Sequence, residues 1–305
     1  MGRYILRRLF YSIFVLAGLT AVVFVITHMI GDPARLMLPL EASEEQYQSL
    51  RQALGLDQPL YIQFAHFVGQ VLRGDLGVSI WQNVPALPLV LSRFPATMYL
   101  ALSTVAFALL IAMPLGIISA IRPNSFIDRI TMFVSFTGVS TPTFWLALML
   151  ILVLAVRLGW FHTSGYGGLK YLALPMFSLS AYSIGRMAQM VRSAMLDEVG
   201  KPYITTARSK GLNEWTILFR HALRNAAIPI ITLAGNELAN LANGAVVVEV
   251  IFGWPGIGQL AITAIERRDF PVIQADVLVV ATAVIVINLV VDVMYAWLDP
   301  RIRYE

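Results

Sequence analysis

The chain has 305 residues, of which 58% are hydrophobic and only 13% charged, and its mean hydropathy is +0.72. No soluble domain of this length sustains such a composition, so the expectation is an all-α, polytopic membrane protein. The formal charge of +4 is spread over loops between apolar runs, which argues for membrane topology and against nucleic acid as a partner, and the absence of cysteine excludes disulfides, thiolate nucleophiles and cysteine metal sites.

The N-terminus carries Arg3, Arg7 and Arg8 with no acid, and an apolar run over residues 9–30 follows. At 1.5 Å per residue this run reaches roughly 30 Å, enough to cross the hydrocarbon core. It is too long for a signal peptide and no small-x-small cleavage site follows it, so it is expected to be the first span, with its N-terminus in the cytoplasm. From 31 to 96 acids outweigh bases, and Pro33, Pro39, Pro59, Pro85, Pro88 and Pro95 punctuate the stretch, as expected of an external loop. Within it, residues 41–54 read as a surface helix with Ser43 as cap and Gln46 at the third position. Residues 60–72 carry Tyr61, Phe64 and Phe67 on one stripe and are expected to lie against the membrane.

Five further spans are predicted at 97–121, 131–156, 171–191, 228–252 and 274–298. Alternating the sides puts Arg122 and Arg129, then Arg192 to Arg224, then Arg301 and Arg303 in the compartment of the N-terminal arginines. The positive-inside rule therefore places both termini in the cytoplasm.

Between the fourth and fifth spans lies a polar stretch, YITTARSKGLNEWTILFRHALRNAAIP, at 203–229. Arg208, Lys210, Arg220 and Arg224 would each cost several kcal/mol at bilayer depth, so this stretch is not a span. It does carry folding signals. Gly211 suits the left-handed position that ends a helix, Asn213 can cap a second helix, and Leu212 with Ile217 could form a hydrophobic staple across the bend. The alternative to a folded elbow is a loop that only sets topology.

Polar groups inside spans are expensive and should face a cavity or one another. Asn236, Asn240 and Asn243 recur at i, i+4 and i+7 on the fifth span, with Glu237 beside them. The stripe reads equally as a hydrated path for a polar solute or as interhelical hydrogen bonding. Arg186, with Tyr182 and Gln189, forms a line on the fourth span, where it could pair with Glu237 or Asp292, or snorkel. Asn288 and Asp292 lie one turn apart on the last span. No GxxxxGK[ST], HExxH or GxSxG motif is present, and the four histidines are scattered, so no catalytic or metal-ligating residue is expected.

Tyr203, Thr206-Ala207-Arg208, Lys210-Gly211-Leu212, His221-Ala222-Leu223-Arg224-Asn225-Ala226 and Pro229 together resemble the cytoplasmic coupling loop of ABC importer permeases of the dipeptide, oligopeptide and nickel branch. The likeness extends to Gly55-Leu56-Asp57-Gln58-Pro59, to Gly74-Asp75-Leu76-Gly77, to Glu249 with Ile251-Phe252-Gly253-Trp254-Pro255-Gly256-Ile257-Gly258-Gln259-Leu260, and to the ending Leu298-Asp299-Pro300-Arg301-Ile302-Arg303. It departs where Thr205-Thr206-Ala207 replaces the general Glu-Ala-Ala, and at Pro202. The resemblance implies a type I importer permease, a single domain over 1–305 with an external loop (31–96) and a coupling loop (195–227). It implies as partners a second homologous permease, two ATP-binding subunits that hold ATP and magnesium, and a solute-binding protein outside the bacterial cytoplasmic membrane. No cofactor is implied in this chain. By the same resemblance Tyr203, Thr206, Ala207, Arg208, Lys210, Gly211 and Leu212 would couple to the ATPases. Asn236, Glu237, Asn240, Asn243 and Asp292 are candidates for the translocation path. Glu249, Trp254, Pro255, Gly256 and Gly258 are candidates for an outer gate or binding-protein contact. The rival from another class is a self-sufficient proton-coupled carrier using Glu237, Arg186 and Asp292 as a relay.

Overall fold

A computed structural model describes residues 2–30, 38, 43–53 and 55–298. The predicted loop residues 31–37, 39–42 and 54 and the basic ending 299–305 lie outside them. Every named element among the described residues is helical: α1 (Gly2–Ile30), α2 (Glu44–Ala53), α3 (Leu60–Leu72), α4 (Ala86–Ile121), α5 (Phe126–Ser140), α6 (Thr143–Leu150), α7 (Leu169–Val199), α8 (Pro202–Ser209), α9 (Glu214–Thr216), α10 (Leu223–Ala242), α11 (Val246–Ile251), α12 (Ile257–Glu266) and α13 (Phe270–Leu298). Two π-helical segments, Ile151–Arg157 and Ile217–Ala222, extend α6 and join α9 to α10.

The expected cap of α2 is present in both directions: the Gln46 backbone donates to Ser43 Oγ (3.3 Å) and the Ser43 backbone donates to Gln46 Oε1 (3.0 Å). α3 packs its aromatic stripe on α1, with Phe24 at 5.3 Å from Phe64 and 5.8 Å from Phe67. Tyr61 and Leu72 remain exposed.

The predicted spans differ from the helices in instructive ways. α4 begins at Ala86, not 97, because Pro85 fixes the backbone one residue before the helix (φ −57°), and Pro95, read as loop, sits inside it. Its 36 residues are about 54 Å long, more than the hydrocarbon core requires. The span predicted over 131–156 is broken at Thr141-Pro142, where α5 and α6 meet at 99°. The span predicted over 228–252 is broken at Gly244 (φ 90°) between α10 and α11. Among the described residues, two helices are long and apolar enough to cross a membrane unaided, Ala86–Ile121 and Phe270–Met294 of α13, or three if the bent pair counts as one. The core of the bundle is the pairing of α4 with α7, which α5, α10 and α13 flank.

Candidate functional site

The stretch between α7 and α10 folds as a bent helix pair. Lys210 ends α8, Gly211 takes φ 78°, its N–H donates to Arg208 O (2.9 Å), and Leu212 N–H donates to Ala207 O (3.3 Å). This is the left-handed helix ending that glycine permits without steric cost. Asn213 then caps α9, its side-chain oxygen accepting from Trp215 N–H at 3.0 Å. The expected staple is not what fixes the bend. Ile217 is fully buried against Ile204, Val191, Met195 and Ala222, while Leu212 is exposed and outside that cluster. A two-point pair spans the corner: Arg208 Nε and Nη2 donate to the two Glu214 oxygens at 2.7 and 3.3 Å. The Glu214 hydrogen bond pushes the Arg208 guanidinium further up, and the Arg208 hydrogen bond lowers the Glu214 carboxyl.

The elbow thus has two sides. Ile204 and Ile217 sink into the bundle, whereas Thr206, Arg208, Lys210, Gly211 and Leu212 are exposed and Ala207 is half-buried. Trp215 and Phe219 stack face to face at 5.2 Å, and Trp215 is 69% exposed. Tyr203 belongs to the anchored side. Its hydroxyl donates to Glu198 Oε2 (2.7 Å) and accepts from Asn225 Nδ2 (3.0 Å), and Lys201 Nζ donates to Glu198 Oε1 (2.5 Å). Burial pushes the Glu198 carboxyl up, but the hydrogen bonds from Lys201 and Tyr203 outweigh it and hold it below the usual range. Burial and then Glu198 push the Tyr203 hydroxyl up.

Above the elbow, Arg192 Nε and Nη2 grip both oxygens of buried Asp128 at 2.7 and 2.8 Å, where α5 starts beside α7. Ser119 and the Asn124 backbone also donate to Asp128. The Arg192 hydrogen bond holds this carboxyl well below the usual range, overriding its burial.

Further along, Arg186 Nη1 lies 2.6 Å from Glu237 Oε1, and Ser183 Oγ donates to the other oxygen at 3.2 Å. Of the expected options for Arg186, the structure takes Glu237. Asp292 pairs with Arg8 of α1 instead, at 2.8 Å. The three groups of the rival relay therefore form two separate ion pairs. Asn236, Asn240 and Asn243 are all exposed along one side of α10, while Glu237 and Asp292 are buried behind other partners.

The corner after α11 is built around a carboxylate. Glu249 is fully buried, accepts from Thr97 Oγ1 (2.6 Å) and from Gln259 N–H (3.0 Å), and Thr97 Oγ1 accepts from Ile257 N–H (2.9 Å). A Cβ on Gly256 would stand 2.3 Å from Glu249 Oε1 and 2.4 Å from Thr97 Oγ1, and one on Gly258 would stand 2.9 Å from Glu249 Oε2. Trp254 is 1% exposed and its indole N–H donates to Ala96 O at 2.9 Å, while Pro255 is half-buried. Glu249 and Trp254 therefore shape this corner from inside and present no surface to an external protein. Residues 79–81 are fixed nearby in the same manner: Asp269 accepts from Ser79 Oγ (2.5 Å), Ile80 N–H (3.1 Å) and Trp81 N–H (3.4 Å).

Thr97, Asp128, Glu198 and Asp269 carry no role in the sequence reading, and Asn225 stands there only as part of the stretch that resembles the coupling loop. Thr97 with Glu249, Asp128 with Arg192, Asn225 with Tyr203 and Asp269 with Ser79 join residues far apart in the chain, which no local spacing announces; Glu198 with Lys201 and Tyr203, and Asp128 with Asn124, lie within a few positions.

Comparison with known proteins agrees with this geometry. The family described as "Binding-protein-dependent transport system inner membrane component" matches residues 112–304, and its N-terminal companion matches 1–101. Glutathione transport system permease proteins GsiC from Escherichia coli O6:H1 and from Salmonella choleraesuis are each 40% identical over 306 aligned positions covering all of both chains. Two inward-facing structures of the MetNI methionine ABC transporter share the fold, with TM-scores of 0.56 and 0.59 at 17% and 20% identity, over 69% of this chain and 96% of theirs. The chain belongs to the binding-protein-dependent transport system inner membrane component family and is a membrane permease subunit of an ABC importer.

Proposed function

We propose that this permease carries peptide-like solutes of about glutathione size across the bacterial cytoplasmic membrane by alternating access. It does so beside a second homologous permease, two ATP-binding subunits and an external solute-binding protein, with six spans and both termini in the cytoplasm. The observation that carries the coupling role is the two-sided elbow. Its outer side, with Thr206, Arg208, Lys210 and Gly211, is free to meet another protein, while Ile204 and Ile217 are sunk in the bundle. A surface helix seated this way can receive a push from a docked protein. The exposed line Asn236, Asn240 and Asn243 offers amide donors and acceptors to a polar solute at the face a second permease would cover. The broken spans at Pro142 and Gly244 fit this reading, because irregular backbone at membrane depth is tolerated where protein or a hydrated cavity covers it. The solute class is supported by the 40% identity to glutathione transport permeases along the whole chain.

The test is gentle solubilisation of the complex followed by mass spectrometry of companions and by glutathione and dipeptide uptake into proteoliposomes. The proposal expects ATP-binding subunits, a second permease, and uptake that requires ATP and the binding protein. Uptake by the chain alone, driven by a proton gradient, would overturn it.

A further inference from the structure

The elbow's outer face accounts for contact with an ATPase, but contact alone does not move a bundle. A helix of eight residues in which Ile204 alone is fully buried can roll or tilt in place when pushed. What prevents this is polar and lies at its base. Glu198 is in the last turn of α7, Tyr203 in the first turn of α8 and Asn225 in the first turn of α10. The Tyr203 hydroxyl bridges the other two at 2.7 and 3.0 Å, and Lys201 adds a 2.5 Å ion pair to the same buried carboxylate. The start and the exit of the elbow are thereby tied through one phenol.

A second cross-link joins the same two helices. Arg186 precedes Glu198, and Glu237 follows Asn225, by the same twelve residues, so the Arg186–Glu237 pair forms a second rung about 18 Å from the first. Two rungs make α7 and α10 one rigid frame, and α10 carries the exposed asparagines.

We propose that Glu198 is a positioning residue for energy coupling: through Tyr203 and Asn225 it locks the two ends of the elbow together, so that displacement of the elbow moves α7 and α10 as a unit. The claim rests on the elbow being the ATPase contact. Glu198 itself touches neither solute nor ATPase; it acts through Tyr203.

The experiment uses the whole complex in proteoliposomes and reads ATP hydrolysed per glutathione imported, alongside recovery of the ATP-binding subunits. Glu198→Gln removes the charge, and Tyr203→Phe removes the bridging hydroxyl while keeping the ring in its packing. Each variant should still bring down the ATP-binding subunits, and each should raise the ratio by about tenfold, the scale set by losing a hydrogen bond to a charged group. The double variant should be no worse than the worse single, because both break one unit. A ratio within about twofold of wild type in Tyr203→Phe, with ATPases bound, would overturn the inference, as would additive effects in the double. Should Glu198→Gln fail to accumulate, Tyr203→Phe still decides. Failure of the underlying reading looks different: wild-type complex would then recover no ATP-binding subunit at all.

Discussion

Arg186 of α7 and Glu237 of α10 form a 2.6 Å ion pair between the helices that flank the elbow, with the carboxylate buried and the guanidinium 38% exposed. Removing Glu237 leaves a partly exposed cation without its carboxylate partner. Loss of one partner of a fully buried pair costs about 3–5 kcal/mol, and partial exposure of Arg186 reduces this to about 2 kcal/mol. Glu237→Ala should therefore unfold roughly 5 °C earlier than wild type in detergent. An unchanged Tm would show that the pair adds nothing to the frame.

Gly256→Ala and Gly211→Ala should differ sharply, although both exchange hydrogen for methyl. At Gly256 the new carbon would meet Glu249 and Thr97 at 2.3 and 2.4 Å, whereas at Gly211 nothing lies within 4 Å and only the φ of 78° resists. The expected costs are about 3 kcal/mol for Gly256→Ala, from overpacking, and about 1 kcal/mol for Gly211→Ala, from the left-handed backbone. Thermal unfolding of the two variants side by side checks the order; the reverse order would contradict the described corner.

Gly211→Pro tests the bend itself. Proline cannot take a positive φ, and it lacks the N–H that donates to Arg208 O at 2.9 Å. Solute-stimulated ATP hydrolysis by the assembled importer should fall to the unstimulated rate while the chain still inserts in the membrane. Stimulation at the wild-type level would argue against the elbow as the coupling element.

Acid should loosen the junction of α5 with α7 before it affects the apolar packing. Asp128 is held below its ordinary range by Arg192, so in the folded chain it stays ionised at pH values where the unfolded chain takes up a proton. Its stabilising contribution is complete above about pH 4, the ordinary range of the group, and is lost as pH falls toward the lowered folded value. Asp128→Asn should lower Tm at pH 7 and flatten the decline below about pH 4; a parallel decline in both proteins would assign the acid sensitivity elsewhere.

The helices and the elbow were legible in the sequence because their signals are local. Hydrophobic runs mark the spans, and Gly211 followed by Asn213 marks the turn and the next cap. The capping box of Ser43 and Gln46 likewise needs only a spacing of three. What the sequence hid is set by contacts between distant residues. Pro95 reads as a loop breaker, yet packing of α4 against the Trp254 corner keeps it helical. The breaks at Pro142 and Gly244 fall inside apolar runs that hydropathy alone joins. Glu249 and Trp254 entered only by resemblance, as candidates for an outer gate or binding-protein contact; their burial follows from Thr97 and Ala96, some 150 positions away. The asparagine stripe was visible as a period, but only the structure separates it from the paired Glu237 and Asp292.

Coupling requires the outer face of the elbow to meet an ATP-binding subunit inside the cell. Because the chain has no cysteine, Lys210→Cys supplies one thiol at the exposed end of α8. Cross-linking from that thiol in inside-out vesicles should capture the ATP-binding subunit, with a yield that changes when ATP is added. Labelling of the same thiol by a membrane-impermeant reagent applied outside intact cells, with no adduct to an ATP-binding subunit, would contradict it.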